Sequence, residues 1–236
     1  MVFKHGKDSK VYINQTDFST YFSSVDVSRT ADVAESTTFG NASKTFITGN
    51  KDGTFSVTGF FDATADATLQ PLLGGSDMVL LLGIDGVDAT DGCSFAQGNI
   101  NNYGVSSAVG DIVATSLDIQ ADSGVYNGTV LENATVTATA SGTARDNATS
   151  TANGGGAFLI VQTASGSTPT LTVKITHSAD NSTYADLVTF TQATGTTAEV
   201  KTVGANTTVN RYLKVQYTVG GTNPSFAVIV GFGRNN

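Results

Sequence analysis

The sequence predicts an all-β protein with one short helix, and three observations carry that expectation. Apolar and polar residues alternate in short runs, as in Ser24-Val25-Asp26-Val27-Ser28 and Ala134-Thr-Val-Thr-Ala-Thr-Ala140, the period-two pattern of strands with one buried face. The chain is rich in Thr, Ser and Gly, with 26 Gly, only 3 Pro and 14% charged residues, against about 25% charged in average soluble chains. A single stretch, residues 62–75, places apolar residues at helical spacing. The 236 residues suit one large β domain or two smaller ones. We expect a β-sandwich or barrel domain over 1–140, a flexible linker over 141–155 and a smaller β-sandwich over 156–236.

The elements follow in order. Val11-Tyr12-Ile13 reads as a short first strand, and Ser24–Ser28 as the second. Thr45–Thr48 and Thr54–Phe60 follow, with Lys51-Asp52-Gly53 between them as a hairpin-type turn, because Gly tolerates positive φ. Leu69, Leu72 and Leu73 form the apolar side of the helix, with Asp66 as its candidate N-cap and Gly74-Gly75 as its stop. Pro71 fits only if the helix begins shortly before it. Strands resume at Met78–Ile84, a continuous apolar run that reads as buried, and then near Phe95, at Tyr103–Val105, Ile112–Gln120 and Tyr126–Ala140. Residues 141–156 (SGTARDNATSTANGGG) lose their apolar members, as a linker does. Beyond them, strands are expected at Phe158–Val161, Leu171–Ile175, Leu187–Phe190, Val200–Val203, Arg211–Val219 and Phe226–Phe232, at sandwich-like spacing.

Composition and charge exclude several classes. A mean hydropathy of +0.01 argues against intrinsic disorder, and glycine without a three-residue period excludes collagen. Cys93, the only cysteine, forms no disulfide within the chain. The net charge of −8 is a poor start for a duplex-binding protein. It is also uneven. Residues 1–150 hold 7 Lys and Arg against 17 Asp and Glu, a net of −10, and residues 151–236 hold 5 against 3, a net of +2. The opening MVFKHGKDSK has no signal-peptide apolar core, so assembly in the cytoplasm is the expectation. The run Met78–Ile84 is far shorter than the ~20 residues that span a bilayer.

Catalytic candidates are few. His5 lies in the N-terminal tail, and His177 ends a strand before the turn Ser178-Ala-Asp-Asn-Ser; neither accompanies a nucleophile motif. Cys93 reads as a small buried hydrophobe. The run Asp85-Gly-Val-Asp88-Ala-Thr-Asp91-Gly92 faintly resembles a calcium loop but lacks its spacing and closing Glu, so a solvated acidic loop is the better reading. Asp62 and Asp66 suit helix capping better than paired-carboxylate chemistry. No zinc spacing and no phosphate-cradling glycine loop is present, so no metal or cofactor is expected. The sequence argues against an enzyme.

One segment is more specific. Val25–Asp62 (VDVSRTADVAESTTFGNASKTFITGNKDGTFSVTGFFD) resembles the N-terminal signature of major tail tube proteins of long-tailed, non-contractile phages. In that family a strand ending "D-x-S/T-R" leads to "D-x-x-E-x-T-x-F-G", then "K-x-x-x-x-G-x-K-D" and "G-x-F-D". The matching positions are Asp26, Arg29, Asp32, Glu35, Thr37, Phe39, Gly40, Lys44, Gly49, Lys51, Asp52, Gly59, Phe61 and Asp62. The following helix, Val109-Gly110-Asp111 and Ser123-Gly124-Val125, with Gly128 and Leu131, are similar too, so the resemblance spans about residues 1–135. Residues 156–236 are similar to C-terminal β-sandwiches that some tail proteins carry on the tail exterior, through Lys174–Asp180, Tyr184–Phe190 and Asn210–Val215.

The resemblance implies a structural virion protein, assembled in the host cytoplasm, whose hexameric rings stack into a tail tube that conducts DNA. Its implied partners are further copies of itself, the tape measure, tail terminator and distal tail proteins, and DNA only in transit; it implies no cofactor and no membrane. An acidic lumen would repel phosphates. The mixed-charge segment Arg29–Asn50 is the expected subunit interface, with Arg29, Asp32, Glu35, Lys44 and Lys51 as pairing candidates and Phe39 as an anchor. Two alternatives stand beside it: the C-terminal domain binds host-surface glycans, with Tyr184, Tyr212 and Tyr217 as candidate stacking residues, or the chain is another virion component, a capsid decoration or distal tail protein.

Overall fold

A computed structural model describes residues 5–235; the first four residues of the expected N-terminal tail lie outside the described residues. In chain order its strands are β1 (Lys10–Ile13), β2 (Thr16–Asp17), β3 (Phe22–Glu35), β4 (Phe46–Phe60), β5 (Met78–Gly83), β6 (Gly92–Ser106) and β7 (Ala114–Ala121). There follow β8 (Tyr126–Val136), β9 (Ala140–Ser141), β10 (Arg145–Asp146), β11 (Gly155–Ser178), β12 (Ala185–Thr189), β13 (Thr197–Val203) and β14 (Tyr212–Arg234). Among the described residues there is one α-helix, α1 (Ala63–Leu69), between β4 and β5 in the chain. The fold is all-β with one short helix, as the alternation predicts.

Two compact units are present. One contains the described residues up to Thr20, Met78–Phe95 and those from Tyr126 on; the other contains Tyr21–Asp77 and Ala96–Val125. This division does not follow the expected boundary near 141–155. Within the first unit, β14 pairs with β8 from Phe226↔Val136 to Phe232↔Thr129, so residues after 156 share a sheet with residues before 140. The expected linker is tied down as well: β9 and β10 each pair with β14, and Thr151 bridges Val209. These bonds run through the backbone, so a stretch without apolar side chains is held without a pattern in its sequence.

The first unit is organised by β11 and β14, which pair antiparallel from Gly155↔Arg234 to Ser178↔Tyr212. Each strand absorbs two of the segments expected to be separate. Register shifts between Val161/Thr163, Ser165/Ser167 and Ser167/Thr170 break the alternation there, while the pairing continues across the bulges. Both halves of each strand contribute to one core: Leu159 and Val161 with Leu171, Val173 and Ile175, and Leu213, Val215 and Tyr217 with Phe226, Val228 and Val230. The opposite face of β11 carries Phe158 and Ile160 into a second core with Tyr12, Val79, Leu81, Cys93, Phe95, Tyr126 and Ile229. The Phe95 ring lies 5.4 Å from Tyr126 and 4.8 Å from Phe158, centroid to centroid. Gly231 is required here, because a Cβ on it would stand 2.2 Å from the Phe158 ring.

The second unit is a four-stranded antiparallel sheet in the order β3-β4-β7-β6 (from Ala96) with α1 beside it. Phe55 and Val57 of β4 and Leu117 and Ile119 of β7 are buried on one face. The Tyr103 hydroxyl donates to Asp66 at 2.6 Å, and Tyr103 is the register partner of Leu117, which ties α1 to that buried face. The helix cap differs from the expectation. Asp62 is extended and its carboxylate accepts from the Thr64 and Ala65 N–H groups at 2.8 and 3.1 Å, leaving Asp66 in the first turn to accept from Tyr103. Pro71 falls in the 3-10 turn Gln70–Leu72 that follows, where its missing N–H is tolerated.

Lys51-Asp52-Gly53 forms no turn. It lies inside β4, with Ala31↔Lys51, Thr30↔Asp52 and Arg29↔Gly53 as partners. Gly53 serves close approach instead, since a Cβ there would stand 2.5 Å from the Val125 side chain.

Candidate functional site

The hairpin of β3 and β4 is the most distinctive feature of the second unit. The proximal half of β4 alternates, with Phe55 and Val57 buried. From Arg29 through Asp52 nearly every residue is exposed on both faces. A hairpin that runs beyond its sheet has no core to cover, yet Val33, Phe39, Phe46 and Ile47 are large, apolar and exposed. Large apolar side chains left exposed in this way make the arm a candidate contact surface. The tip is a defined turn: the Asn41 N–H donates to the Thr38 carbonyl at 3.0 Å, the Ser36 N–H to the Thr45 carbonyl at 2.8 Å and the Thr45 N–H to the Thr37 hydroxyl at 3.1 Å. Phe39 sits in that turn, fully exposed.

The six residues expected at an interface all lie on this arm or its base. Glu35 and Lys44 meet each other, the Lys44 ammonium donating to the Glu35 carboxylate at 2.9 Å. That contact, with the Thr37 hydroxyl second, holds the Glu35 carboxyl below its ordinary value. Asp32 falls at the register shift between Ala31 and Val33, packed against Gly49, whose added Cβ would stand 3.2 Å from the Asp32 Cβ. Arg29 and Lys51 share one face as diagonal neighbours of the β3–β4 ladder. Phe39 touches none of the other five residues through a described bond.

The other face of the sheet carries a constellation that the sequence reading missed. Opposite the buried Phe55–Val57 and Leu117–Ile119 positions stand Ser24, Asp26, Ser28 and Thr30 of β3, and Asp52, Thr54, Ser56 and Thr58 of β4. Ser116, Asp118 and Gln120 of β7 and Asn99 and Asn102 of β6 continue the same face. Its carboxylates are interlinked: Asp118 accepts from Asn102 at 2.9 Å and from Ser56 at 2.7 Å, Asp122 accepts from Asn99 at 2.8 Å, and Asp52 accepts from Gln120. The Asn102 bond first, then the Ser56 bond, lowers the Asp118 pKa, so this group stays ionised further into acid. Asp26, Asp52 and Asp118 share this face, with Asp122 joined to it through Asn99, while Arg29 and Lys51 fall on the opposite face. The signal was present as the polar half of two alternating segments, Ser24-x-Asp26-x-Ser28 and Ser116-x-Asp118-x-Gln120.

The remaining sequence candidates take structural roles. The His5 imidazole accepts from the Lys7 N–H, and His177 Nδ1 accepts from the Asn210 N–H at 3.2 Å. Burial first, then the Arg234 charge, pushes His177 below its ordinary value. Cys93 is buried, and burial pushes its thiol up to about 12. In the acidic loop the Asp91 carboxylate accepts from the Asp88 N–H at 2.9 Å and shapes the turn. A groove of about 560 Å³ in the first unit is lined by Thr90, Asn127, Thr129, Arg145, Asp146 and Arg234 among others, with no His, Cys or Ser. Its arginine Arg234 is committed to the Val209 and Asn210 carbonyls at 2.7 and 2.6 Å.

No family model matches the chain, and no curated protein matches it. Among solved structures, the chain is similar to a chain from the virion of a native gene transfer agent particle, with a TM-score of 0.44 and 12% identity over 52% of this chain and 97% of that one. It is also similar to the SPP1 Dit (gp 19.1) protein, described as a paradigm of the hub adsorption apparatus in phages infecting Gram-positive hosts. There the TM-score is 0.40, with 13% identity over 95% of this chain and 98% of that one. Both are likenesses at low identity, and neither carries a function across to this chain.

Proposed function

We propose that this chain is a structural virion protein that self-assembles into stacked rings forming a phage tail tube, with the acidic face of the second unit lining the passage for DNA. The observation that carries the proposal is the β3–β4 hairpin: a 14-residue strand whose only strand partner among the described residues is β4, ending in an exposed apolar arm. A long edge strand with free N–H and C=O groups is a template for pairing with another chain. The sheet also ends in apolar surface at its other extremity. Phe60, Phe61, Val105, Val109 and Ile112 are exposed there, held near one another by Phe60↔Ala114, Val105↔Thr115 and the bond from the Phe61 N–H to the Val113 carbonyl. Different apolar patches at the two ends of one sheet suit heterologous, open-ended association, which generates rings and stacks.

The face between those ends suits a conduit. It is hydroxyl- and amide-rich and negative, with Arg29 and Lys51 on the opposite face, so a DNA phosphate finds repulsion and no anchor. The resemblance of Val25–Asp62 to tail tube proteins supports the same reading and supplies the hexameric ring as its expected unit. Light scattering of the purified chain against concentration, followed by negative-stain microscopy, tests it. Rings and hollow polymers appearing above a threshold concentration are expected; a monomer at all concentrations, or closed dimers, would overturn it.

A further inference from the structure

In the first unit, the return loop between β13 and β14, residues 204–211, buries Val209 completely in the core that the two halves of β11 and β14 share. The loop is held from three sides. The Thr151 and Val209 N–H groups donate to each other's carbonyls at 3.0 and 2.8 Å. The Arg234 guanidinium donates to the Val209, Asn210 and Arg211 carbonyls at 2.7, 2.6 and 3.3 Å. On the third side His177 Nδ1 accepts the Asn210 N–H at 3.2 Å. The loop in turn fixes residues 145–151, which line one side of the groove of about 560 Å³. There the Asn147 N–H donates to the Arg211 carbonyl at 3.1 Å, and the Asp146 carboxylate accepts two bonds from Arg211 at 2.6 Å.

The His177 contact exists only in the neutral imidazole. Nδ1 accepts while it carries no proton, whereas the protonated ring has an N–H at both nitrogens and would set a donor against the Asn210 donor. The new charge would also lack a partner, because the carboxylates on the surrounding elements are committed. Asp146 pairs with Arg211, Asp186 of β12 with Lys174, Glu199 of β13 with Lys201 and Glu132 of β8 with Arg145. Asp180, beyond the end of β11, accepts from Ser178 and from its own turn. Of the remaining cations, Lys214 lies over the Tyr184 ring. Arg234 is bound to carbonyls and to the Thr151 hydroxyl, with no carboxylate among the described residues. Its guanidinium keeps its charge throughout the imidazole range. Burial first, then this charge, holds His177 below its ordinary value. We propose that His177 is a proton-operated latch: its protonation releases the Asn210 peptide, loosens the return loop together with residues 145–151, and opens the groove toward Leu131, Leu213 and Phe232. The stabilisation is complete above the ordinary imidazole pKa of ~6.5 and is lost as pH falls through the lowered value of the folded chain.

The test is an NMR titration of the full chain from about pH 8 to about pH 5, across the imidazole range, at a concentration below that of assembly. His5 is the only other imidazole in the chain, so the His177 signal is assigned by its loss in His177→Gln. His177 should titrate below ~6.5, and the Asn210, Val209 and Thr151 amide signals should move with the same midpoint. A dye that fluoresces on apolar surface should bind in acid and not at neutral pH, as Leu213 and Phe232 are uncovered. His177→Gln, whose side-chain carbonyl accepts from the Asn210 N–H and does not titrate, should lose the acid-induced dye binding, while His5→Gln should keep it. The inference is overturned if the Asn210 and Val209 amides stay in place while His177 titrates, if His177 titrates above its ordinary value, or if His177→Gln opens in acid as the parent does. The NMR arm uses the parent chain, so it decides the matter even where a variant folds poorly.

Discussion

Truncating Phe39 to Ala should separate folding from assembly. The side chain is fully exposed at the arm tip, and no buried contact is lost with it, so the fold should be affected by less than about 0.5 kcal/mol, as for other exposed positions. An aromatic anchor buried in a partner contributes about 2 kcal/mol or more at a protein interface. Each 1.4 kcal/mol is tenfold, so losing about 2 kcal/mol per contact raises the concentration needed for assembly about 30-fold. A far-ultraviolet circular dichroism melt reports the fold, and light scattering against concentration reports assembly. The reasoning fails if Phe39→Ala assembles at the parental concentration. It fails equally if the variant melts well below the parent, because Phe39 would then be packed within its own subunit.

Three further outcomes follow from the same geometry. Glu35→Lys places a second cation beside Lys44 and should block assembly while leaving a folded monomer; the swap Glu35→Lys/Lys44→Glu restores the 2.9 Å pair and should recover polymers if the pair shapes the arm, as native electrophoresis would show. Gly231→Ala puts a Cβ 2.2 Å from the Phe158 ring with a backbone carbonyl, that of Thr129, also within 3 Å, and should cost on the order of 1–3 kcal/mol by overpacking, read as a lower melting temperature. Cys93, buried with its thiol raised to about 12, should react with a thiol reagent at pH 8 only as fast as the chain opens; immediate labelling of the native protein would contradict its placement.

How much of this was legible in the sequence varies by element, and the reasons are physical. The alternation that predicts strands also locates the core, because Phe55, Val57, Leu117 and Ile119 occupy every second position, and the run Met78–Ile84, expected to be buried, is so through Leu81 while Ile84 at its end is exposed. Of the three leucines expected on the helix only Leu69 belongs to α1, which buries Ala65 and Leu69; Leu72 lies in the 3-10 turn and Leu73 beyond it is exposed. The cap falls at Asp62 rather than Asp66 because the two look alike in sequence and only the extended backbone at Asp62 distinguishes them. Gly53 misled in a different way: a glycine needed for close approach to Val125 has the same letter as one needed for a turn. The long strands β11 and β14 were invisible as single elements, since bulges around Ser165–Thr170 interrupt the alternation without interrupting the pairing. The division into units was also out of reach, resting on β14–β8 pairing between segments about ninety residues apart, which leaves no local mark.

The candidate surface shows the same pattern. The candidate interface residues share one continuous segment with an unusual motif, and the structure shows only that Arg29, Asp32, Glu35, Phe39, Lys44 and Lys51 all fall on the arm or its base. The acidic face was not legible, because Asp26, Asp52 and Asp118, with Asp122 joined through Asn99, come from three parts of the chain and meet only through the register of four strands. That register also sorts the charges, putting the carboxylates on one side of the sheet and Arg29 and Lys51 on the other.

The central claim is that this chain builds a hollow polymer with that face inward, and a cryo-electron microscopy reconstruction of the assembled protein tests it most directly. The prediction is a tube in which Asp26, Asp52 and Asp118 line an open lumen and the β3–β4 arm contacts a neighbouring subunit. A solid filament, or a tube with Asp118 on its outer surface, would contradict it.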